Sequence, residues 1–239
     1  MADKNRYATL NNGLKMPMIG YGTWLSEDKD KLKTCVKHAV QESGYRHIDT
    51  ASVYGNEDVI GEALAEVIEG GVAREDLFIT TKLWRDDYEL DAIEPALRAS
   101  LDKLKLDYVD LYLIHWTFPI MDHEATPIKA KSPPVHKIWE VLEGLVDQGL
   151  IKSIGVSNCT VSVLANVMAG ARIQPVVNQV EMHPYNQQPE FLEFHKKCGV
   201  QVTAYSPLGN PGFVGEGHVK VIEHEVIKSV ADAHSASPA

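Results

Sequence analysis

The segment Leu77-Phe78-Ile79-Thr80-Thr81-Lys82, followed by residues 91–104, is the stretch that decides the fold class. The first part is a short apolar and β-branched run, which is typical of a strand buried on both faces. In the second part the apolar residues follow helical spacing, at Ile93, Leu97, Leu101 and Leu104. This spacing predicts an amphipathic helix from Asp91 to Leu104. A strand followed by a helix is the repeating unit of a parallel α/β sheet.

The same unit recurs on both sides of this stretch. Six further strands are predicted at Met18 to Tyr21, Tyr45 to Asp49, Val109 to His115, Ile154 to Ser157, Val176 to Val180 and Val200 to Tyr205. Further helices are predicted over Asp28 to Glu42, Ile138 to Gln148 and Val219 to His234. Such an uninterrupted series favours a closed (β/α)8 TIM barrel over an open doubly wound sheet. The first strand is not followed by G-x-G-x-x-G, the motif that an open dinucleotide-binding sheet places there.

A small β-hairpin is predicted before the barrel. Asn11-Asn12-Gly13 separates two short runs, Ala8 to Leu10 and Leu14 to Met16. An Asn-Gly pair between apolar runs is a strong hairpin signal. We expect residues 1–239 to form one barrel domain, since barrels of this length are usually single units.

Composition limits the possible partners. The 239 residues carry a formal charge of −10, and the acidic residues are spread along the chain. This argues against nucleic acid and against an anionic membrane surface, but a local phosphate site stays possible. The three cysteines, Cys35, Cys159 and Cys198, are too widely spaced to suggest disulfides or a zinc knuckle. With a polar Met1 to Tyr7 and no long apolar run, we expect a cytoplasmic protein.

Polar residues collect at the predicted carboxyl ends of the strands, where a barrel builds its active site. They are Asp49, Tyr54, Lys82, His115, Ser157, Asn158, Gln179, Tyr205 and Ser206. Taken singly, each is more often structural than functional. Their convergence favours function, because a buried aspartate or lysine is costly unless it is paired.

Several motifs resemble the aldo-keto reductase family. The resemblance begins with Gly44-Tyr45-Arg46-His47-Ile48-Asp49-Thr50-Ala51 and Tyr54-Gly55-Asn56-Glu57. It continues, in the family's order, through Leu111 to Trp116, Gly155 to Asn158, Asn178 to Glu181, His183-Pro184 and Ala204 to Gly209. It covers essentially the whole chain and implies a (β/α)8 barrel that reduces aldehydes or ketones with NADP(H).

The resemblance also implies roles for individual residues. The family's catalytic tetrad falls on Asp49, Tyr54, Lys82 and His115. Its cofactor contacts fall on Gly22, Thr23, Trp24, Asp49, Ser157, Asn158, Gln179, Tyr205, Ser206 and Leu208, with Tyr205 facing the nicotinamide ring. Its substrate contacts fall on Trp24, Tyr54, Trp84, His115 and Trp116. The expected substrate is a small carbonyl compound whose identity stays open. By resemblance to the family we also expect a monomer.

The chemistry explains these residue types. Carbonyl reduction builds negative charge on oxygen, so an acid such as Tyr54 must meet that oxygen. We expect the Lys82 ammonium to lower the pKa of Tyr54, and Asp49 to balance the charge of Lys82. His115 would orient the carbonyl. The chain has no hydride donor of its own, so a nicotinamide cofactor is required. This chemistry needs no metal, and no helical ligand spacing suggests one.

Three features depart from the simplest pattern. Cys159 is either a reactive thiol or a packed side chain, and packing is favoured. Thr117 stands where the family often has proline, at the start of a long loop reaching Ser132. By resemblance, the eighth strand, its 2′-phosphate-binding residues and the C-terminal loop are missing, and we expect a chain that is incomplete at its C-terminus.

Two other functions remain open. A relative on this fold could bind the cofactor as a non-catalytic sensor, although the full tetrad argues against that role. A barrel hydrolase or isomerase could use Asp49 and His115, but it would leave Tyr54 and Lys82 unexplained.

Overall fold

The computed structural model describes residues 7–210 and 219–239. It confirms the hairpin, whose strands are β1 (Tyr7–Thr9) and β2 (Lys15–Pro17). They pair antiparallel, with Thr9 opposite Lys15. The polar stretch from Met1 that entered our prediction of location lies, apart from Tyr7, outside the described residues.

Nine further strands follow in the described ranges, and seven of them form one parallel sheet that curves into a nearly closed barrel. In chain order the strands are β3 (Tyr21–Gly22), β4 (His47–Asp49), β5 (Phe78–Leu83), β6 (Leu111–Ile114), the short ribbon strands β7 (Met121–Asp122) and β8 (Lys129–Ala130), β9 (Ile154–Ser157), β10 (Val177–Glu181) and β11 (Gln201–Tyr205). Apart from the ribbon, neighbours in the chain are neighbours in the sheet, from β3 to β11. This arrangement confirms the predicted α/β barrel class.

Helices connect these strands on the outside of the barrel. They are α1 (Lys29–Gln41), α2 (Glu57–Glu69), α3 (Ile93–Leu104), α4 (Val135–Asp147), α5 (Val161–Gly170), α6 (Pro189–Cys198) and α7 (Glu225–Ala233). The helix predicted from Val219 is shorter than expected, and a 3-10 turn at Val221–Glu223 precedes it. Among the described helices, none combines the length and the apolar character that a membrane span requires.

The first barrel strand does not lie where the sequence predicted it. We expected Met18 to Tyr21, but β3 begins only at Tyr21, and the side chains of Met18 and Ile19 are 63% exposed. The chain at Gly20 passes so close to His47 that a Cβ atom there would lie 2.9 Å from Nδ1 of the ring. The ladder with β4 begins at the next residue, where Tyr21 pairs with Ile48.

The hairpin closes the end of the barrel where the strands begin. Leu10 and Met16 pack in one cluster with Phe78 and Leu111, the first residues of β5 and β6. The Asn12 amide also donates to Ser153, just before β9. The opposite end, where the strands finish, is left as the mouth of the barrel. A larger apolar core fills the space between the sheet and the helices.

Candidate active site

The four residues predicted to be catalytic meet at the mouth. Asp49 ends β4, Lys82 is the penultimate residue of β5, and His115 directly follows β6. Tyr54 ends a 3-10 turn, Ser52–Tyr54, which Gly55 closes in the left-handed conformation at φ 67°. The structure therefore brings together residues from three neighbouring strands and the turn after β4.

The Lys82 ammonium is the centre of this group. Its Nζ atom donates to Asp49 Oδ1 at 2.6 Å, to the Thr50 carbonyl at 2.8 Å and to Tyr54 Oη at 3.3 Å. The Lys82 side chain is only 1% exposed. Burial by itself lowers the pKa of Lys82, but the charges and hydrogen bonds of Asp49 and Tyr54 outweigh it and raise the pKa. Lys82 is therefore a buried cation at neutral pH.

Lys82 acts on Tyr54 in the predicted direction and lowers the pKa of the phenol, but the net shift of this pKa is upward. Burial raises the pKa of the Tyr54 phenol, and this effect exceeds the opposing effect of Lys82. Asp49 adds to the increase, because a second negative charge nearby disfavours phenolate. In this structure Tyr54 is thus a protonated phenol at neutral pH.

His115 is neutral, which the sequence alone did not reveal. Burial lowers its pKa to about 3, and the Lys82 charge acts in the same direction. Its Nδ1 atom is buried and has no hydrogen-bond partner among the described residues. The imidazole contacts Tyr54 edge-on with ring centroids 5.8 Å apart, and contacts Trp84 at 5.0 Å.

The residues predicted to contact nicotinamide form a hydrogen-bonded group across the mouth. Ser157 Oγ and the Asn158 backbone N–H both donate to the main-chain carbonyl of Gln179, at 2.8 and 2.9 Å. The Asn158 side-chain amide donates to Ser157 Oγ and to the His115 carbonyl, and its oxygen accepts from Tyr205 Oη. Gln179 Nε2 donates to Asp49 Oδ2 at 2.7 Å. These side chains are therefore continuous with the group around Lys82.

The other predicted cofactor contacts lie at the edges of this group. Thr23 is buried, and both its N–H and its hydroxyl donate to the Asp49 carbonyl. Gly22 pairs with Asp49 in the β3–β4 ladder, whereas Trp24 lies about half exposed in the following loop. Ser206 and Leu208 lie in the turn after β11, and Leu208 is exposed.

Aromatic side chains line one side of the mouth. Trp84 contacts His115, and Trp116 packs on Phe118 with ring centroids 5.3 Å apart. Tyr88 Oη bonds to both the N–H and the carbonyl of Trp116. We did not predict Tyr88 or Phe118 as site residues. Each is an aromatic residue in a loop that follows a predicted strand, and the sequence offered no other signal for them.

The loop after β6 is more ordered than the sequence suggested. Strands β7 and β8 pair antiparallel, and Ser132 accepts from the Ile120 N–H. Thr117, at the start of this loop, is buried. A cavity of about 580 Å³ lies between this ribbon, α4 and α5, and none of the predicted site residues lines it.

Cys159 follows the nicotinamide-contact residues but is 2% exposed. Burial raises the pKa of its thiol to about 11, so the thiolate is scarce at neutral pH. These properties favour the packed interpretation. Within the described ranges, no three His, Cys, Asp or Glu side chains are grouped to hold a metal ion.

Comparison with known proteins gives a consistent result. The sequence profile of the Aldo/keto reductase family matches residues 18–226. An uncharacterised oxidoreductase of Schizosaccharomyces pombe is 42% identical over 238 residues, which cover 95% of this chain and 72% of the relative. Mouse aldo-keto reductase family 1 member A1 is also 42% identical, over 96% of this chain and 74% of the relative.

Solved structures agree with this comparison. A Bombyx mori aldo-keto reductase in complex with NADP superposes with a TM-score of 0.88 at 34% identity, covering 99% of this chain and 78% of its own. The aldose reductase of Schistosoma japonicum superposes with a TM-score of 0.87 at 36% identity, covering 98% and 76%.

Proposed function

Because this chain belongs to the Aldo/keto reductase family, we propose that it reduces aldehydes or ketones to alcohols with NADPH, and that Tyr54 is the proton donor. The observation that carries the proposal is the buried Lys82 ammonium, which is hydrogen-bonded to both Asp49 and Tyr54. A neutral imidazole, His115, lies against the same phenol. This combination suits a reaction in which an oxygen gains negative charge and then a proton.

The side chains at the mouth fit a nicotinamide cofactor. The Asn158 and Gln179 amides and the Ser157 hydroxyl lie within one hydrogen-bonded group, and such donors and acceptors complement a carboxamide. Tyr205, Gly22, Thr23, Trp24, Asp49, Ser206 and Leu208 would complete the cofactor contacts. When bound, the nicotinamide supplies the hydride that the carbonyl carbon receives. The NADP-bound Bombyx mori relative and the family resemblance support NADPH over NADH.

Tyr54 suits the role of acid because its raised pKa keeps the phenol protonated until an oxyanion forms beside it. The phenol proton then passes to the substrate oxygen, and the O–H bond of the alcohol replaces that of Tyr54. Lys82 stabilises the phenolate that remains. Asp49 keeps Lys82 charged without leaving an unpaired cation in the buried site.

His115 and the aromatic wall would position the substrate. A neutral imidazole can donate one hydrogen bond to a carbonyl oxygen without adding a second positive charge beside Lys82. The rings of Trp24, Trp84 and Trp116 would contact the rest of the molecule, and they favour a substrate with apolar faces.

Replacing Tyr54 with phenylalanine tests this proposal. We expect Tyr54→Phe to bind NADPH as the original protein does, since the ring remains, but to lose about 100-fold to 10,000-fold in kcat, the usual contribution of a positioned acid. Loss of NADPH absorbance with a panel of aldehydes and ketones measures turnover, and cofactor fluorescence measures binding. Tyr7→Phe, in the hairpin at the far end of the barrel, is the matched control.

Two outcomes would contradict the proposal. Equal kcat values for the original protein and Tyr54→Phe would remove Tyr54 from the chemistry. Tight NADPH binding with no turnover on any carbonyl would favour a cofactor-binding sensor instead.

A further inference from the structure

A hydrogen bond from Gln179 to Asp49 crosses the interior of the barrel. Gln179 lies on β10 and Asp49 on β4, and three strands separate these two in the sheet. The bond from Nε2 to Oδ2 is 2.7 Å long, and Gln179 is 5% exposed. Because β10 and β4 are not paired with each other, no backbone hydrogen bond between them fixes the distance from Gln179 to Asp49. The two side chains make this connection themselves.

The Asp49 carboxylate divides its two oxygens between two partners. Oδ1 accepts from Lys82 at 2.6 Å, and Oδ2 accepts from Gln179 at 2.7 Å. A carboxylate held at both oxygens cannot rotate about its terminal bond without breaking a charge-assisted hydrogen bond. The orientation of the oxygen that Lys82 uses therefore depends on the Gln179 amide.

Gln179 is itself fixed from the neighbouring strand. The main-chain carbonyl oxygen of Gln179 accepts hydrogen bonds from Ser157 Oγ and from the Asn158 N–H. These two hydrogen bonds hold the main chain at Gln179 in place, and the side-chain amide reaches Asp49 from this fixed position.

We propose that Gln179, beyond its predicted contact with nicotinamide, is a positioning residue that orients Asp49 and thereby holds the Lys82 ammonium against Tyr54. The role requires only side chains of this chain and exists without cofactor. The Gln179 amide then contacts both the predicted nicotinamide site and the group formed by Asp49, Lys82 and Tyr54, and so connects these two parts of the mouth. The kinetic part of its test rests on the proposed function, whereas the spectroscopic part does not.

The first measurement uses the cofactor-free protein. With isotope-labelled lysine, NMR observes the exchange of the Lys82 ammonium protons with water, and Lys82→Met assigns the signal. Gln179→Met removes the amide donor at similar side-chain length. We expect ammonium exchange to become about tenfold faster in this variant, because one hydrogen bond to a charged group is lost. Gln201→Met makes the same substitution on β11 at the opposite end of the barrel and is the matched control.

The second variant, Gln179→Glu, gives a pH-dependent result. The titratable groups that interact with Asp49 are Lys82, Tyr54 and the two buried histidines His47 and His115, whose pKa values are lowered by burial. Two adjacent carboxylates share a proton when the pH is low enough, because they repel each other when both are ionised. Once protonated, the introduced carboxyl group would again donate a hydrogen bond to Asp49. Ammonium exchange slows with falling pH in any protein, so each rate is divided by that of the original protein at the same pH. We expect this ratio to return towards one as the pH falls in Gln179→Glu, and to stay near tenfold in Gln179→Met.

The kinetic measurement separates positioning from cofactor contact. We expect Gln179→Met to lower kcat by about tenfold under saturating NADPH, since saturation removes any effect of weaker cofactor binding. Unchanged ammonium exchange and unchanged kcat, with only a weaker affinity for NADPH, would overturn the inference and leave Gln179 as a cofactor contact. A protein without any reductase activity but with the expected exchange rates would overturn the proposed function alone.

Discussion

His115 owes its neutral state to its surroundings. The ring is buried, the Lys82 charge is close, and together they hold its pKa at about 3, although Asp49 acts in the opposite direction. A histidine in water would change its charge near pH 6.5. In this site the imidazole keeps one charge state throughout the physiological range.

This property leads to a prediction for His115. Because its pKa lies near 3, we expect its ring resonances not to titrate between pH 5 and pH 8 in the folded protein. Two-dimensional NMR of the imidazole nitrogens measures this directly, and His115→Gln assigns the signal. A midpoint near pH 6.5 would contradict the neutral role that we give to this residue.

At the scale of elements, the contact between α2 and α3 depends on one glycine. A Cβ atom at Gly61 would overlap the backbone carbonyl of Lys103, and backbone cannot give way as a flexible side chain does. At Gly144, on α4, no atom lies within 4 Å of the position that a Cβ atom would take. The two positions therefore make a matched pair.

We expect opposite effects from the same substitution at these two positions. Gly61→Ala should destabilise the protein by about 1–3 kcal/mol, because the two helices must move apart. Gly144→Ala should stabilise it by about 0.5–1 kcal/mol, because alanine restricts the unfolded chain and favours the helix. Urea unfolding of both variants measures this difference. Effects of the same sign would show that the close approach at Gly61 is unimportant.

The elements also show how far the sequence could predict the fold. Helix α1 was predicted over 28–42 and runs from Lys29 to Gln41, because its signals are local: an apolar stripe, and an Asp28 side chain that caps the Lys31 N–H. Strand β3 was misplaced because Met18 and Ile19 are apolar but exposed, and the ladder begins only where Tyr21 pairs with Ile48. A short apolar run does not show which of its residues pair with a strand far along the chain.

The candidate site divides in the same way. Strand ends and motifs were sufficient to predict that Asp49, Tyr54, Lys82 and His115 would converge. They could not predict that burial dominates the pKa of Tyr54, because the sum of burial and charge depends on packing. Nor could they predict the bond from Gln179 to Asp49, since it depends on the curvature of the whole sheet. The proposed roles of these residues in catalysis remain predictions.

At the scale of the whole molecule, three buried histidines affect stability. Burial lowers the pKa of His47, His115 and His195. In the unfolded chain each ring binds a proton as the pH falls below about 6.5, whereas in the folded protein each ring binds it only at a lower pH. The contribution of these histidines to the free energy of unfolding therefore decreases as the pH falls through this range. Glu57 and Asp110 act in the opposite direction, because burial raises their pKa values.

We accordingly expect stability to fall between pH 6.5 and pH 5, above the range where most carboxylates titrate. Urea unfolding at several pH values gives the slope. His195→Gln keeps a polar side chain in place of a ring that bonds to Phe191 and Asn178, and removes one titrating group. The slope should then be smaller, by at most about 1.4 kcal/mol per pH unit, which corresponds to one whole proton. Stability that is constant or rises on acidification would contradict this account.

The hairpin at the base of the barrel has a practical consequence. Lys15 on β2 is exposed, whereas the neighbouring Met16 is packed beneath the strands, on the far side from Lys82 and Tyr54. A dye, an affinity tag or a surface linker attached at Lys15 would leave the mouth of the barrel unobstructed. Immobilised in that orientation, every molecule would present its mouth to the solution.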